Sequence, residues 1–316
     1  PLKPLLISSL ILTAHILTGG RVPLPPARLF RPAVRTLSFV VHAWPPHWAV
    51  ATVLALFVSG VGYVYGVKVA GGADSYGYVS QADLWLSGSL HVDQAFMKDA
   101  PWPKAELTFT PLGYRPSDQP GREWTIVPTY SPGLPLLLAG AKALGGQGAM
   151  YWVVPLLGAV LVLATFGIGT RVASATAGLI GAWLVATSPG VLYMVVTTMT
   201  DVPVAALWAA AFYCLLGHSR GSALGAGLLA AMAVVVRPNL VPLGAVFGLH
   251  FVAGVFTREE RRHVLVRGSL YAAGLAAGVV VVAMINARLY GSPLVSGYGA
   301  PSGFLSWSRV LPNLRN

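Results

Sequence analysis

Cysteine is almost missing from this chain: Cys214 is the only one in 316 residues. One thiol excludes an internal disulfide, and its place inside an apolar run marks it as a small core residue. Neither CxxC nor HExxH occurs, so neither a metal site nor a cofactor is expected. Charge is scarce as well. Only 10% of residues are Asp, Glu, Lys or Arg, where soluble domains carry about 25%. Acid is the scarcer sign, with 10 carboxylates against 21 Lys and Arg and a net charge of +11. That excess of base does not imply a nucleic-acid partner. The basic residues sit in short loops between apolar runs, where positive charge sets membrane orientation. The ~10-residue alternating segments of a membrane barrel are also missing.

What is there is apolar surface, 55% of the residues, laid out in runs of roughly 17–22. A bilayer core about 30 Å thick needs about 20 apolar residues per helix. The expected fold is all-α, a polytopic transmembrane helical bundle. Seven spans are expected, near 48–68, 149–170, 175–192, 202–217, 222–237, 240–256 and 268–289. Ahead of them, residues 1–46 form an N-terminal apolar segment and a basic stretch. Leu5–Leu17 is short for a span and reads as a signal-like, interfacial or short spanning piece. Arg21, Arg28, Arg31 and Arg35 follow with no acid between them, as in a cytoplasmic segment. Residues 47–316 then form the transmembrane domain. Because the chain starts at Pro1 and stops in a polar stretch at Asn316, it is expected to be a fragment.

The carboxylates are not spread evenly. Asp74, Asp83, Asp93, Asp99, Glu106, Asp118 and Glu123 all fall between residues 71 and 130, within a loop spanning 71–147. Later joints carry Arg171, then His218 and Arg220, then Arg258, Arg261, Arg262 and Arg267. With the acidic loop outside, every one of these joints is inside, as the positive-inside rule asks. Ser131–Gly146 is short, Pro-flanked and carries Lys142. Counting it as a span inverts every later loop, so it reads as an outer-surface or re-entrant helix. The outer face then gathers four segments: 71–147, 190–201, Arg237–Asn239 and the tail after Arg288.

Those segments hold the candidate site residues. Asp74 and Asp201 each precede an apolar helical stretch, so each reads either as an N-cap or as a site carboxylate, Asp74 as a general base. Pro203 in the first turn strengthens the cap reading of Asp201, while the cost of a carboxylate at membrane depth keeps a site role open. Arg237 and Arg288 sit at outer ends of spans, where the orientation rule disfavours positive charge. They either snorkel to headgroups or bind an anionic lipid phosphate, which the guanidinium fork suits. Tyr76, Tyr78 and Tyr130 belong with Trp85, Trp102 and Trp124 to an interfacial aromatic belt or line an acceptor groove.

Five pieces occur in a telling order: ADSYGYVSQA (73–82), TYSPGLPLLLA (129–139), SPGVLYMVVTTMTDVP (188–203), RPN (237–239) and LYGSPLVSGYG (289–299). Together they resemble the GT-C superfamily of polyprenyl-phosphate-sugar glycosyltransferases. The branch is the protein O-mannosyltransferase and aminoarabinose-transferase-like one, of the glycosyltransferase family 39 type. The resemblance covers roughly 48–300 and rests on motif order. It implies a metal-independent, inverting transfer from a polyprenyl-phosphate-linked sugar donor to a lipid, glycan or protein acceptor. The expected location is the plasma (inner) membrane, with the active site facing the periplasm or exterior. Asp74 and Asp201 match the family's carboxylates, and Arg237 and Arg288 are the phosphate-side candidates. Many relatives carry Asp-Glu where this chain has Asp74-Ser75. The chemistry is consistent with the inventory: a phosphate leaving group needs a cation and one base, unlike the paired carboxyls of glycoside hydrolases. The competing readings are a transporter or flippase without covalent chemistry, and a non-catalytic assembly protein. A transporter calls for polar groups near the midplane, whereas these charges gather at the ends of spans.

Overall fold

The computed structural model describes residues 46–257, 260–300 and 310–315. The N-terminal segment, its arginines and Arg258 lie outside the described residues. Long helices dominate. Helix α1 runs His47–Val64, and α2 (Gly72–Leu86) follows it. A short three-stranded antiparallel sheet comes next, formed by β1 (Val92–Asp93), β2 (Tyr114–Pro116) and β3 (Thr125–Pro128). Helix α3 (Ala105–Phe109) lies between the first two strands. β3 is central, pairing Val92 with Ile126 on one side and Tyr114 with Pro128 on the other.

The bundle continues with α4 (Gly133–Met150), α5 (Val153–Val172), α6 (Ala175–Ala186), α7 (Pro189–Val195), α8 (Asp201–Leu215) and α9 (Arg220–Val236). It is completed by α10 (Val241–Thr257), α11 (Arg261–Tyr290) and a last turn, α12 (Val310–Arg315). The fold is an all-α membrane bundle. Exposed Leu, Val, Phe and Ile along its helices form an apolar outer surface that suits lipid.

Each of the seven expected spans coincides with a helix or, for 175–192, a bent helix pair. Among the described residues four helices are long and apolar enough to cross a bilayer: α1, α5, Pro238–Phe256 and α11. A fifth counts if α6 and α7 are one span bent by 59°. Helices α8 and α9 are apolar but have only 15 and 17 residues, about 23 and 26 Å at 1.5 Å per residue.

Two prolines account for the breaks. A residue before Pro is pushed out of the helical region by the ring. Ser188 before Pro189 is extended at φ −63°, ψ 121°, and Arg237 before Pro238 lies at φ −145°, ψ 85°. The shortened helices are tolerable because they are internal. α8 buries Val202, Ala206, Leu207, Trp208 and Ala211, and α9 packs along α11 through Gly227, Gly274 and Gly278. Irregular backbone at membrane depth is accepted where protein surrounds it.

The segment read as an outer-surface or re-entrant piece is helix α4. It is kinked at Gly145 and Gly146, and its Leu134 and Leu138 are fully buried. Lys142 Nζ lies 2.5 Å from Asp83 Oδ1 of α2, so this helix packs within the protein.

The joints sort into two ends. Arg171 donates to the Tyr213 carbonyl at 2.6 Å and lies 3.6 Å above the Tyr213 ring. His263 bonds the His218 carbonyl at 3.1 Å, and buried Arg267 bonds that of Gly217. The basic joints therefore share one end. The exits of α1, α9 and α11 and the entries of α2, α5 and α8 meet at the other.

Candidate active site

The second end is tied together by bonds between segments distant in sequence. Past α1, the Val67 N–H donates to the Val196 carbonyl at 2.9 Å. Ser75 Oγ of α2 donates to the Thr198 carbonyl at 3.3 Å. Gly133 at the start of α4 lies against the Val236 backbone, with room for no side chain. Tyr290 at the end of α11 donates to the Pro128 carbonyl of β3 at 2.7 Å.

Within this frame Asp74 is not an N-cap. α2 begins at Gly72 with Gly71 as its cap residue and no side-chain cap bond. Asp74 stands two residues further in, and its Oδ1 accepts the phenol proton of Tyr130. The geometry that brings Tyr130 there depends on two glycines. A Cβ on Gly77 would fall 2.5 Å from Tyr130 Cε2, and one on Gly113 would fall 2.7 Å from Gly77 Cα. Gly113 also has φ +91°, which a residue with a Cβ adopts only at a cost.

Asp201 is not an N-cap either. Thr200 holds that position without a side-chain cap bond. Asp201 Oδ1 instead pairs with Arg237 Nη1 at 3.0 Å. The Arg237-Pro238 break turns the chain out of α9 at the point where that guanidinium reaches α8. Both partners are more than a third exposed, so the pair adds little stability, of order 0–1 kcal/mol.

Between the two pairs stand aromatic rings. Tyr78, one turn after Asp74, is buried and lies 5.1 Å from the Tyr130 ring. Burial pushes its phenol up to about 12 even though a hydrogen bond with buried Thr200 lowers it. Tyr130 is raised further, first by burial and then by its bond to the Asp74 carboxylate. Tyr298, from the turn after α11, meets Tyr130 edge-on at 6.2 Å. Burial raises its phenol, and the Asp74 and Arg237 charges act on it in opposite senses.

The structure thus brings together Asp74, Tyr78, Tyr130, Asp201 and Arg237 of the residues singled out from sequence. Tyr76 is not among them. Two residues from Asp74, it lies on another face of α2 and is exposed. The Arg288 side chain is exposed at the end of α11, and its carbonyl accepts from Gln119 Nε2 at 2.9 Å. Thr200 and Tyr298 were not singled out. Thr200 had a signal in standing next to Asp201, and Tyr298 in lying within the 289–299 motif.

An apolar groove leads to this end. Gly133, Leu136, Leu228, Met232, Val236 and Val281 are among its walls, and it holds about 480 Å³ between α4, α9 and α11. Its upper rim, Val236, precedes Arg237.

The profile of one protein family matches residues 129–286, half of the chain: the dolichyl-phosphate-mannose-protein mannosyltransferases. The chain belongs to that family. It is a mannosyltransferase-like membrane glycosyltransferase of the GT-C type. No match is found among curated proteins. The matched stretch contains Tyr130, Asp201 and Arg237, while Asp74 and Tyr298 fall outside it.

Proposed function

We propose that this family member transfers a hexose from a polyprenyl phosphate to a hydroxyl acceptor at the acidic-loop end of the bundle, by an inverting, metal-independent displacement. One observation carries the reading. A carboxylate held by a phenol, Asp74 with Tyr130, and a cation held by a carboxylate, Arg237 with Asp201, converge beside an apolar groove.

The groove has the chemistry of a prenyl tail site, and a tail lying in it with its head at the Val236 rim would bring its phosphate beside Arg237. The guanidinium neutralises the charge that grows on the phosphate as the bond to the sugar breaks. Asp201 fixes the guanidinium and exchanges it with the incoming phosphate. Asp74 takes the proton of the acceptor oxygen as that oxygen attacks the anomeric carbon from the face opposite the phosphate. One bond forms, one breaks, the configuration inverts, and the lipid phosphate leaves as a stable anion. Tyr130 holds the carboxylate in place, and Tyr78 closes the site from below. Arg288, exposed at the end of α11, would serve as a second cation toward the headgroup, while Tyr76 faces away from this centre.

In the cell the 47–316 domain is placed in the plasma membrane, with the 71–147 loop and the site facing outward and the basic joints inside. The positive-inside rule supports that orientation. The partners are then the polyprenyl-phosphate sugar, a glycan, protein or lipid acceptor, and membrane lipids.

The test is saturable binding of undecaprenyl phosphate to the detergent-solubilised chain. Arg237→Ala weakens it at least tenfold and Asp74→Asn leaves it intact. Equal loss in both variants, or no saturable binding by folded wild type, contradicts the assignment.

A further inference from the structure

The turn that follows α11 is pinned to the acidic loop more firmly than a connection needs to be. Arg115 Nη1 of β2 donates to the Gly297 carbonyl at 3.2 Å, and its guanidinium lies 6.0 Å from the Tyr290 ring. Gln119 Nε2 holds the Arg288 carbonyl at 2.9 Å, and Tyr290 holds that of Pro128 at 2.7 Å. Gly297 packs directly on Thr129, where a Cβ would fall 2.6 Å from the Thr129 Cα. Inside the turn, Ser296 and Gly299 bond each other's backbone at 3.1 and 2.8 Å.

The turn at 291–299 carries one aromatic side chain. Tyr298 is 59% exposed, yet it is not a loose surface ring. Its edge meets Tyr130, the residue that holds Asp74, and its phenol feels both the Asp74 and Arg237 charges. A fixed, open aromatic face between a carboxylate and a guanidinium presents apolar surface with polar groups at its margins. The C–H face of a pyranose presents the matching surface, with hydroxyls around its rim.

We infer that Tyr298 is the stacking platform for the transferred hexose or the acceptor sugar, and that Arg115 is its positioning residue through the Gly297 carbonyl. This rests on the proposed polyprenyl-phosphate-sugar reading and names the sugar subsite within it. The site is therefore assembled from both ends of the domain, one side chain coming from beyond residue 286, where the family match ends.

The experiment compares binding of undecaprenyl phosphate and undecaprenyl-phosphomannose in wild type, Tyr298→Ala, Tyr298→Phe and Arg115→Ala. The wild type binds the mannosylated lipid more tightly, and Tyr298→Ala loses roughly fivefold of that gain, the scale of one ring face returned to water. Binding of the bare lipid phosphate is unchanged. Tyr298→Phe keeps the gain, and Arg115→Ala loses part of it. A second arm adds methyl α-mannoside to the protein loaded with bare undecaprenyl phosphate and reads contact by saturation-transfer NMR. Loss of that contact in Tyr298→Ala, with the donor gain intact, assigns the platform to the acceptor sugar and still supports it. Unchanged behaviour of Tyr298→Ala in both arms overturns the inference, as does a wild type that binds the two lipids equally and shows no contact with methyl α-mannoside. A wild type that binds neither lipid overturns the underlying functional reading as well, so the two failures are distinguishable.

Discussion

Gly77 offers a sharp perturbation, because helix propensity and site geometry pull in opposite directions there. Gly77 lies mid-way along α2, where alanine is favoured over glycine by about 1 kcal/mol. On propensity alone Gly77→Ala stabilises the protein. The added Cβ, however, falls 2.5 Å from Tyr130 Cε2 and 3.2 Å from Gly113 Cα. Gly113 is backbone and yields little, so the Tyr130 ring must move. Overpacking of this kind costs about 1–3 kcal/mol. Losing the phenol's bond to a carboxylate adds about 1.5 kcal/mol. The net expectation is a loss of about 1.5–3.5 kcal/mol, together with a fall in transfer rate as Asp74 loses its anchor.

A double-mutant cycle isolates the cause. In a Tyr130→Ala background the ring is gone, and Gly77→Ala becomes neutral or mildly stabilising. The coupling is then about 2 kcal/mol, within the range seen for residues in contact. Denaturant or thermal melts of the four proteins in one detergent read it directly. The same loss in both backgrounds refutes the claim that Gly77 exists to admit Tyr130.

Two further predictions concern packing and pH. Gly274 faces the Gly227 backbone, and a Cβ there would fall 2.9 Å from the Gly227 carbonyl carbon. Gly274→Leu should therefore part α9 from α11, cost upwards of about 2 kcal/mol and lower the melting temperature in detergent. For Tyr78, folding raises the phenol to about 12 from an unfolded value near 10. The fold favours the protonated form, so this contribution is complete below about pH 10 and is lost as pH climbs from about 10 to about 12. Melts across that window should steepen in wild type, and Tyr78→Phe should remove that part of the slope.

Some of this was legible in the residues, and some was not. Apolar run length marks a helical membrane bundle, and the positions of Arg171, Arg220 and Arg267 alone place their joints at one end. The acidic loop, the Thr200-Asp201 entry, the Arg237 joint and the post-Arg288 tail then fall at the other, where the contacts of Ser75, Arg237, Gln119 and Tyr290 join them. Span length was harder to see. The Ser188-Pro189 pair carried the signal that the preceding residue leaves the helix, but hydropathy runs straight through it, whereas the Arg237-Pro238 break coincides with the joint read from sequence. Capping and pairing were indistinguishable for Asp74 and Asp201, because the deciding partners, Tyr130 and Arg237, lie 56 and 36 residues away. Such contacts follow from tertiary packing, which no local pattern encodes. Tyr298 was visible only as part of a motif, since its meaning depends on a turn clamped by Arg115 from the far side of the chain.

The central claim is that the Asp74 carboxylate is the base of the transfer. The most direct measurement is turnover of undecaprenyl-phosphomannose by purified Asp74→Asn, read as released undecaprenyl phosphate, beside its melting temperature and its binding of the bare lipid phosphate. The account predicts that turnover falls by at least about a hundredfold, the scale of general-base catalysis, while melting and lipid binding stay close to wild type. Turnover within a few-fold of wild type in a folded, lipid-binding Asp74→Asn protein would contradict it.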